Sequence, residues 1–150
     1  MKSKSSRAAE LASSVAHDCI GARVRMLNRM VTRVYDDALR PHGVRFSQMN
    51  ILTVVACKGP VQPSEVAEIL AIEKSTLSRN VRLMESNGWI ESLPGERGHS
   101  QLLRTTSSGE RLYRRVFPDW EKAQKQIIKS LGEPAADAIC AAAKRARDAK

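Results

Sequence analysis

Arg79 and Arg82 lie three residues apart in the stretch EKSTLSRNVRLMESNGWI, Glu73 to Ile90, with Ser75, Thr76, Ser78 and Asn80 around them. Guanidinium, amide and hydroxyl groups are the side chains that meet the base edges and phosphates of a double helix. Set about 100° apart on a helix, Leu77, Val81 and Met84 form a narrow stripe that must face a core. Ser75, Arg79, Arg82 and Ser86 then point the other way, with Thr76, Ser78 and Asn80 on the flanks. Lysine and serine at the start of such a helix also offer a phosphate free N–H groups at its positive end. A surface helix that merely solvates these residues would look the same in isolation, so the surrounding elements decide what the face is for.

Those elements read in order along the chain. From Ile20 the apolar positions Ile20, Val24, Leu27, Val31, Val34 and Ala38 alternate steps of four and three, predicting a long amphipathic helix that ends near Arg40-Pro41. Ser47 can cap a second, largely apolar helix, Gln48 to Lys58, stopped by Gly59-Pro60. Pro63 opens a short third helix to Leu70, and three residues of turn lead into the arginine-bearing helix, closed by Gly88. Trp89 to Leu93 and Gln101 to Thr105 flank the turn-rich PGERGHS as a hairpin with a basic tip. Thr106 caps a helix from Ser107 to about Leu131, which Pro118 should bend, and Gly132-Glu133-Pro134 starts a last alanine-rich helix. The first dozen residues are expected to fray.

The totals bound the function. Lysine and arginine number 25 against 16 acids, a formal net charge of +9 that favours a polyanion, with a membrane surface or an acidic protein as the other partners such a charge permits. The chain has 150 residues, suited to one core and one domain. Its three cysteines, Cys19, Cys57 and Cys140, are odd in number and lack a C-x-x-C pair, which fits a reducing, cytoplasmic setting and neither a disulfide framework nor a zinc site. They read as small thiols packed like apolar residues. His17, His42 and His99 share no ligand spacing, and although His17, Asp18 and Cys19 are adjacent, neighbours on a helix point apart. No apolar run reaches signal-peptide or membrane-spanning length. No Gly-rich phosphate loop, paired-carboxylate constellation or nucleophile motif appears, so an enzyme is disfavoured and no cofactor or metal is expected.

A short helix, a tight turn, a helix with outward arginines and a two-stranded wing form a DNA-reading architecture. The stretch PSEVAEILAIEKSTLSRNVRLMESNGWIESLPGERGHSQLLRTTSSGERL resembles the winged helix-turn-helix core of the MarR (multiple-antibiotic-resistance regulator) family. The family's E-L-A-x-x-L appears as Glu65 to Leu70, its T-[VL]-[ST]-R run as Thr76 to Arg79 leading to Gly88-Trp89-Ile90, and its L-T-x-x-G as Thr105 to Gly109. YDDALRPHGVRFSQMNIL and FPDWEKAQKQIIKSLG extend the likeness to nearly the whole chain after Ala16.

The resemblance implies a mainly α fold with a small β-hairpin wing. A DNA-binding lobe should span about residues 45–106, and long dimerisation helices about 15–40 and 107–147. It implies a homodimer, probing two half-sites of a pseudo-palindromic operator about 34 Å apart. Ser75, Thr76, Arg79 and Arg82 are the best candidates for DNA contact, with Ser78 and Asn80 behind them. Members usually carry an Asp and an Arg in the wing, where counting back from Thr106 finds Arg97 and His99 here, with Glu96 alongside. Arg97 can replace the usual arginine at the tip. Members often bind small aromatic acids between the dimer helices and the lobe, where Arg23 and Arg25 could meet a carboxylate. One branch senses organic hydroperoxides through a first-helix cysteine, the position nearest Cys19, although CIGARVRMLNR lacks that branch's tyrosines. The readings that result are a repressor released by a small effector, a thiol-responsive regulator using Cys19, and a sequence-indifferent architectural DNA binder.

Overall fold

The computed structural model describes residues 6–95 and 101–149. Seven helices and one hairpin are found among them. They are α1 (Arg7–Asp18), α2 (Ile20–Leu39), a single 3-10 turn (Arg40–His42), α3 (Phe46–Lys58), α4 (Pro63–Leu70), α5 (Lys74–Ser86), β1 (Ile90–Pro94), β2 (Gln101–Thr105), α6 (Ser107–Leu131) and α7 (Glu133–Asp148). The fold is the mainly α winged helix-turn-helix anticipated from the sequence.

Two helix starts differ from expectation. The early residues form a helix, α1, because Ser6 accepts the Ala9 N–H and Glu10 sits in the positive first turn. Ser47 does not cap α3, which begins one residue earlier. The Arg45 N–H donates to Gln48 Oε1 at 2.9 Å and the Phe46 N–H to Asp36 Oδ1 at 2.8 Å, so α2 supplies part of the cap for α3. Pro118 lies inside α6 without interrupting it.

The lobe closes around one core. Leu39, Ile51, Leu52, Val55, Val66, Met84, Leu103, Leu112 and Val116 come from five different helices and one strand, and all are fully buried. Burying a side chain of this kind contributes about 1.5–3 kcal/mol each. β1 and β2 pair antiparallel with Ile90 opposite Thr105 and Glu91 opposite Arg104. Val61, between α3 and α4, adds a two-bond bridge to Leu103, with N···O distances of 3.0 and 2.8 Å, so the inner edge of the wing is tied to the helices.

The Thr-x-x-Gly signature has a direct structural cause. Thr106 caps α6 by accepting the Gly109 N–H at 3.1 Å, and its own hydroxyl donates to the Gly88 carbonyl at 2.5 Å. A Cβ at position 109 would stand 2.0 Å from the Trp89 carbonyl oxygen. Only glycine lets α6 start this close to the end of the arginine-bearing helix.

A second, smaller cluster joins the lobe to the arms. Tyr35, Ala123 and Ile127 are buried with Phe46 and Trp120 packed against them, and the Tyr35 ring stacks on Phe46 at 4.2 Å between centroids. The Tyr35 hydroxyl donates to Gln124 Oε1. Burial raises the Tyr35 pKa above its ordinary value, and Cys140 nearby adds to the shift. Beyond this joint α1 and α7 bury nothing.

Candidate nucleic-acid interface

α4 and α5 meet through a turn whose first residue is strained. Ala71 takes φ 50° and ψ 46°, the left-handed region that a side chain resists, and thereby ends α4 so that α5 can leave at an angle. Leu77 and Met84 anchor α5 in the core and Val81 is half-buried, which turns the opposite face to solvent. Behind α5, Ser92 donates to Glu85 at 2.5 Å, and Glu91 accepts both the Nε and the Nη2 of Arg104 at 3.0 and 2.8 Å. Cross-strand pairs of this kind stiffen a hairpin. The helix and the base of its wing are therefore held in one orientation.

On the solvent face Ser75, Ser78, Arg79 and Arg82 are exposed, whereas Thr76 and Asn80 are half-buried. The Asn80 amide donates to the Thr76 carbonyl at 2.9 Å, and the Thr76 hydroxyl lies 3.5 Å from an Arg79 nitrogen. Asn80 is thus turned onto its own helix, and Thr76 steadies Arg79. Among the described residues no carboxylate comes within 4 Å of Arg79 or Arg82. Two guanidinium groups remain available on a face carrying hydroxyls and no acid, which is what phosphate and base acceptors require. Arg97 and His99, the expected wing residues, lie outside the described residues.

Two residues beside this face escaped the sequence reading. Ser64 at the start of α4 and Gln101 at the start of β2 line a cleft of about 220 Å³ together with Ser78 and with Lys74, the lysine expected at the start of α5. Pro63 marks the helix start that puts Ser64 there, but only the fold brings Gln101 alongside. Leu83 is 51% exposed on the same helix, an apolar group of the kind that meets thymine methyls.

The other candidates are placed apart. Arg23 donates to the Ala16 and His17 carbonyls at 2.8 and 3.4 Å, closing the end of α1, while Arg25 points from the opposite side of α2. They do not converge on one carboxylate. Cys19 is half-buried at the break between α1 and α2. Cys57 and Cys140 are exposed, contrary to the expectation of packed thiols: Cys57 lies in the exposed last turn of α3, and Cys140 on α7, which buries none of its residues. His17 Nδ1 is 2.8 Å from the Ser13 carbonyl, and His42 Nε2 is 2.9 Å from Asp119 Oδ2. Among the described residues no three His, Cys, Asp or Glu side chains could hold a metal ion, and no helix is long and apolar enough to cross a membrane.

The wing, the strained turn and the acid-free outward face of α5 define a winged helix-turn-helix protein of the DNA-reading class. The family model described as "MarR family" matches residues 42–99. The uncharacterized HTH-type transcriptional regulator YwoH of Bacillus subtilis is 25% identical over 67% of this chain and 73% of its own length. The crystal structure of the transcriptional regulator MosR of M. tuberculosis superposes with a TM-score of 0.76 at 26% identity, covering 89% of this chain and 98% of that one. A mutant of E. coli MarR complexed with operator DNA gives a TM-score of 0.78 at 19% identity over 89% and 96% of the two chains, a likeness of fold. The chain is thus similar to the MarR family of transcriptional regulators, by the family model over residues 42–99 and by fold over most of its length.

Proposed function

We propose that the protein is a homodimeric repressor that reads a pseudo-palindromic operator with α5 and is released by a small effector. The observation that carries this reading is the outward face of α5, where exposed Arg79 and Arg82 have no carboxylate partner and sit among Ser75, Ser78 and Thr76. Arg79 and Arg82 take base edges or phosphates, with Ser75, Thr76 and Ser78 beside them and Asn80 behind. Arg97 and His99 extend the contact through the wing. Ser64, Lys74 and Gln101 add phosphate donors at the margin.

The dimer rests on the arms. Leu11, Val15, Ile20, Val24, Phe117 and Ile139 are large apolar side chains left exposed, Ile20 by 78%. Exposed apolar side chains of this size on four helices call for a symmetric partner. The two-fold relation then spaces two α5 helices for successive major grooves. That a mutant of E. coli MarR, a protein of the same fold, is complexed with operator DNA supports DNA as the partner. Effector release, as the family resemblance implies, would act at the joint of Tyr35, Phe46 and Trp120 between arms and lobe, where a bound aromatic acid would change the spacing of the two α5 helices. The protein works in the cytoplasm, where its DNA is.

The test is retention of the DNA upstream of the protein's own gene, against scrambled DNA of equal length, at about 150 mM salt where non-specific binding is weakened by counterion association. Tight retention of the native fragment alone is the expected result. Equal retention of both fragments would remove the operator reading.

A further inference from the structure

Arg25, Arg29 and Arg33 recur every four residues of α2, so they stand one above another over about 12 Å of helix. The row lies on the side of α2 opposite Val31, Tyr35 and Ala38, which pack toward α6. All three arginines are exposed and line an open trough of about 1050 Å³ along the helix. Among the described residues no carboxylate lies within 4 Å of any of them. Two acids line the far end of the same trough and are engaged there: Asp36 accepts the Phe46 N–H and Asp37 holds Arg40. Like charges four residues apart oppose each other and weaken a helix. Some other arginines of the chain are engaged, Arg104 with Glu91, Arg114 with Glu110, and Arg23 with the end of α1.

We propose that this row is a second, sequence-indifferent DNA-contact surface, which takes the phosphate backbone of a duplex other than the one read by α5. The row shares with α5 the feature of exposed arginines left without acids. Asn28 and Thr32 border it with further donors, and Met26 and Met30 border it on the other side. A duplex presents one charge about every 1.7 Å of its axis, so a 12 Å row of guanidinium groups spans several phosphates at once. Arg33 to Arg25 lie about 9 to 21 Å along α2 from Leu39, where that helix enters the core, which places the row on the arm. α5 packs on α4 and β1 instead. A duplex lying across the lobe leaves the row for another segment, so one dimer would bridge two stretches of DNA. The proposal rests on the reading above in taking DNA as the polyanion, α5 as the reader of the first duplex and the dimer as the binding unit.

The experiment uses the full chain and three variants, Arg29→Gln/Arg33→Gln, Arg79→Ala/Arg82→Ala and the combination of all four substitutions. Upstream DNA immobilised on a surface captures the protein, and capture of a labelled random-sequence duplex is then measured. The Arg29→Gln/Arg33→Gln variant is expected to keep its retention on the upstream fragment and its sedimentation mass while capturing the second duplex at least several-fold less. In the Arg79→Ala/Arg82→Ala background, where α5 contributes little, the same two glutamines should lower the slope of log affinity against log salt by about 1.8. Undiminished capture with an unchanged slope would overturn the proposal. A change of sedimentation mass would overturn it too, by assigning the row to an acidic face of the second copy. If no form of the protein favours the upstream fragment, the operator reading fails, and the salt slope on random duplex still decides the row.

Discussion

The lobe and the arms have similar helix-forming composition and opposite states of burial. α3 buries five of its thirteen residues, whereas α1, with twelve, and α7, with sixteen, bury none. Both kinds of helix are amphipathic or apolar; they differ in whether this chain supplies the surface that covers them. The lobe carries its stability within one chain, whereas α1 and α7, in the dimer proposed above, would take theirs from a partner. That division suits a DNA reader, because the recognition helix stays folded while the distance between two such helices is set elsewhere.

Two truncations test the division most severely. Leu52→Ala, in the fully buried centre of the lobe, should cost about 2–5 kcal/mol by chemical denaturation, the transfer loss plus a cavity. Ile139→Ala, on the uncovered face of α7, should change the stability of a dilute, monomeric sample by no more than about 0.5 kcal/mol. Its effect should grow with protein concentration, as a dimer contact requires. Equal costs at all concentrations would mean that the arms belong to the monomer core.

Within the lobe, binding and folding should separate on the two faces of α5. Arg79→Ala should weaken operator binding by about 1–3 kcal/mol without moving the denaturation midpoint. Leu77→Ala, two residues earlier on the buried face, should do the reverse at first order, by lowering stability. Unchanged operator affinity for a folded Arg79→Ala protein would sink the assignment of that face.

What the sequence showed of this comparison follows from period and punctuation. The stripe of Leu77, Val81 and Met84, the cap at Thr106 and the left-handed Gly88 were legible because each depends on local residues alone. The start of α3 was not, because Asp36 reaches it from another helix. Gln101 was missed for the same reason, since strand pairing brings it to α5. Arg23 looked like a ligand for a carboxylate and instead closes α1, a helix the frayed-terminus expectation had left out. Exposure of Cys57 and Cys140 was equally out of reach, because composition does not say which apolar faces one chain can cover.

A smaller effect is expected at the turn between α4 and α5. Ala71 occupies a conformation that glycine adopts freely, so Ala71→Gly removes strain but also loosens the unfolded chain. The net gain should be about 0.5–1 kcal/mol, read as a higher denaturation midpoint with operator affinity retained. A loss of stability would show that the Ala71 methyl contributes packing that outweighs its backbone cost.

The smallest effect lies at the boundary between the two regions, where Asp119 of α6 meets His42 of the 3-10 turn and Lys122 one turn on. The hydrogen bond with His42, then that from Lys122, holds the Asp119 carboxyl below its ordinary value of 3.8. A folded-state pKa lower than the unfolded one means a contribution that is complete above the unfolded value and lost as pH falls through the folded one. Asp119→Asn should therefore be less stable than the parent near neutral pH, and the gap should close below about pH 4 as the parent's carboxylate takes up its proton. Urea midpoints measured from neutral to acid pH would show the two curves converge. Parallel curves would mean that residue 119 acts through packing and shape, and that the joint between arm and lobe owes nothing to this charge.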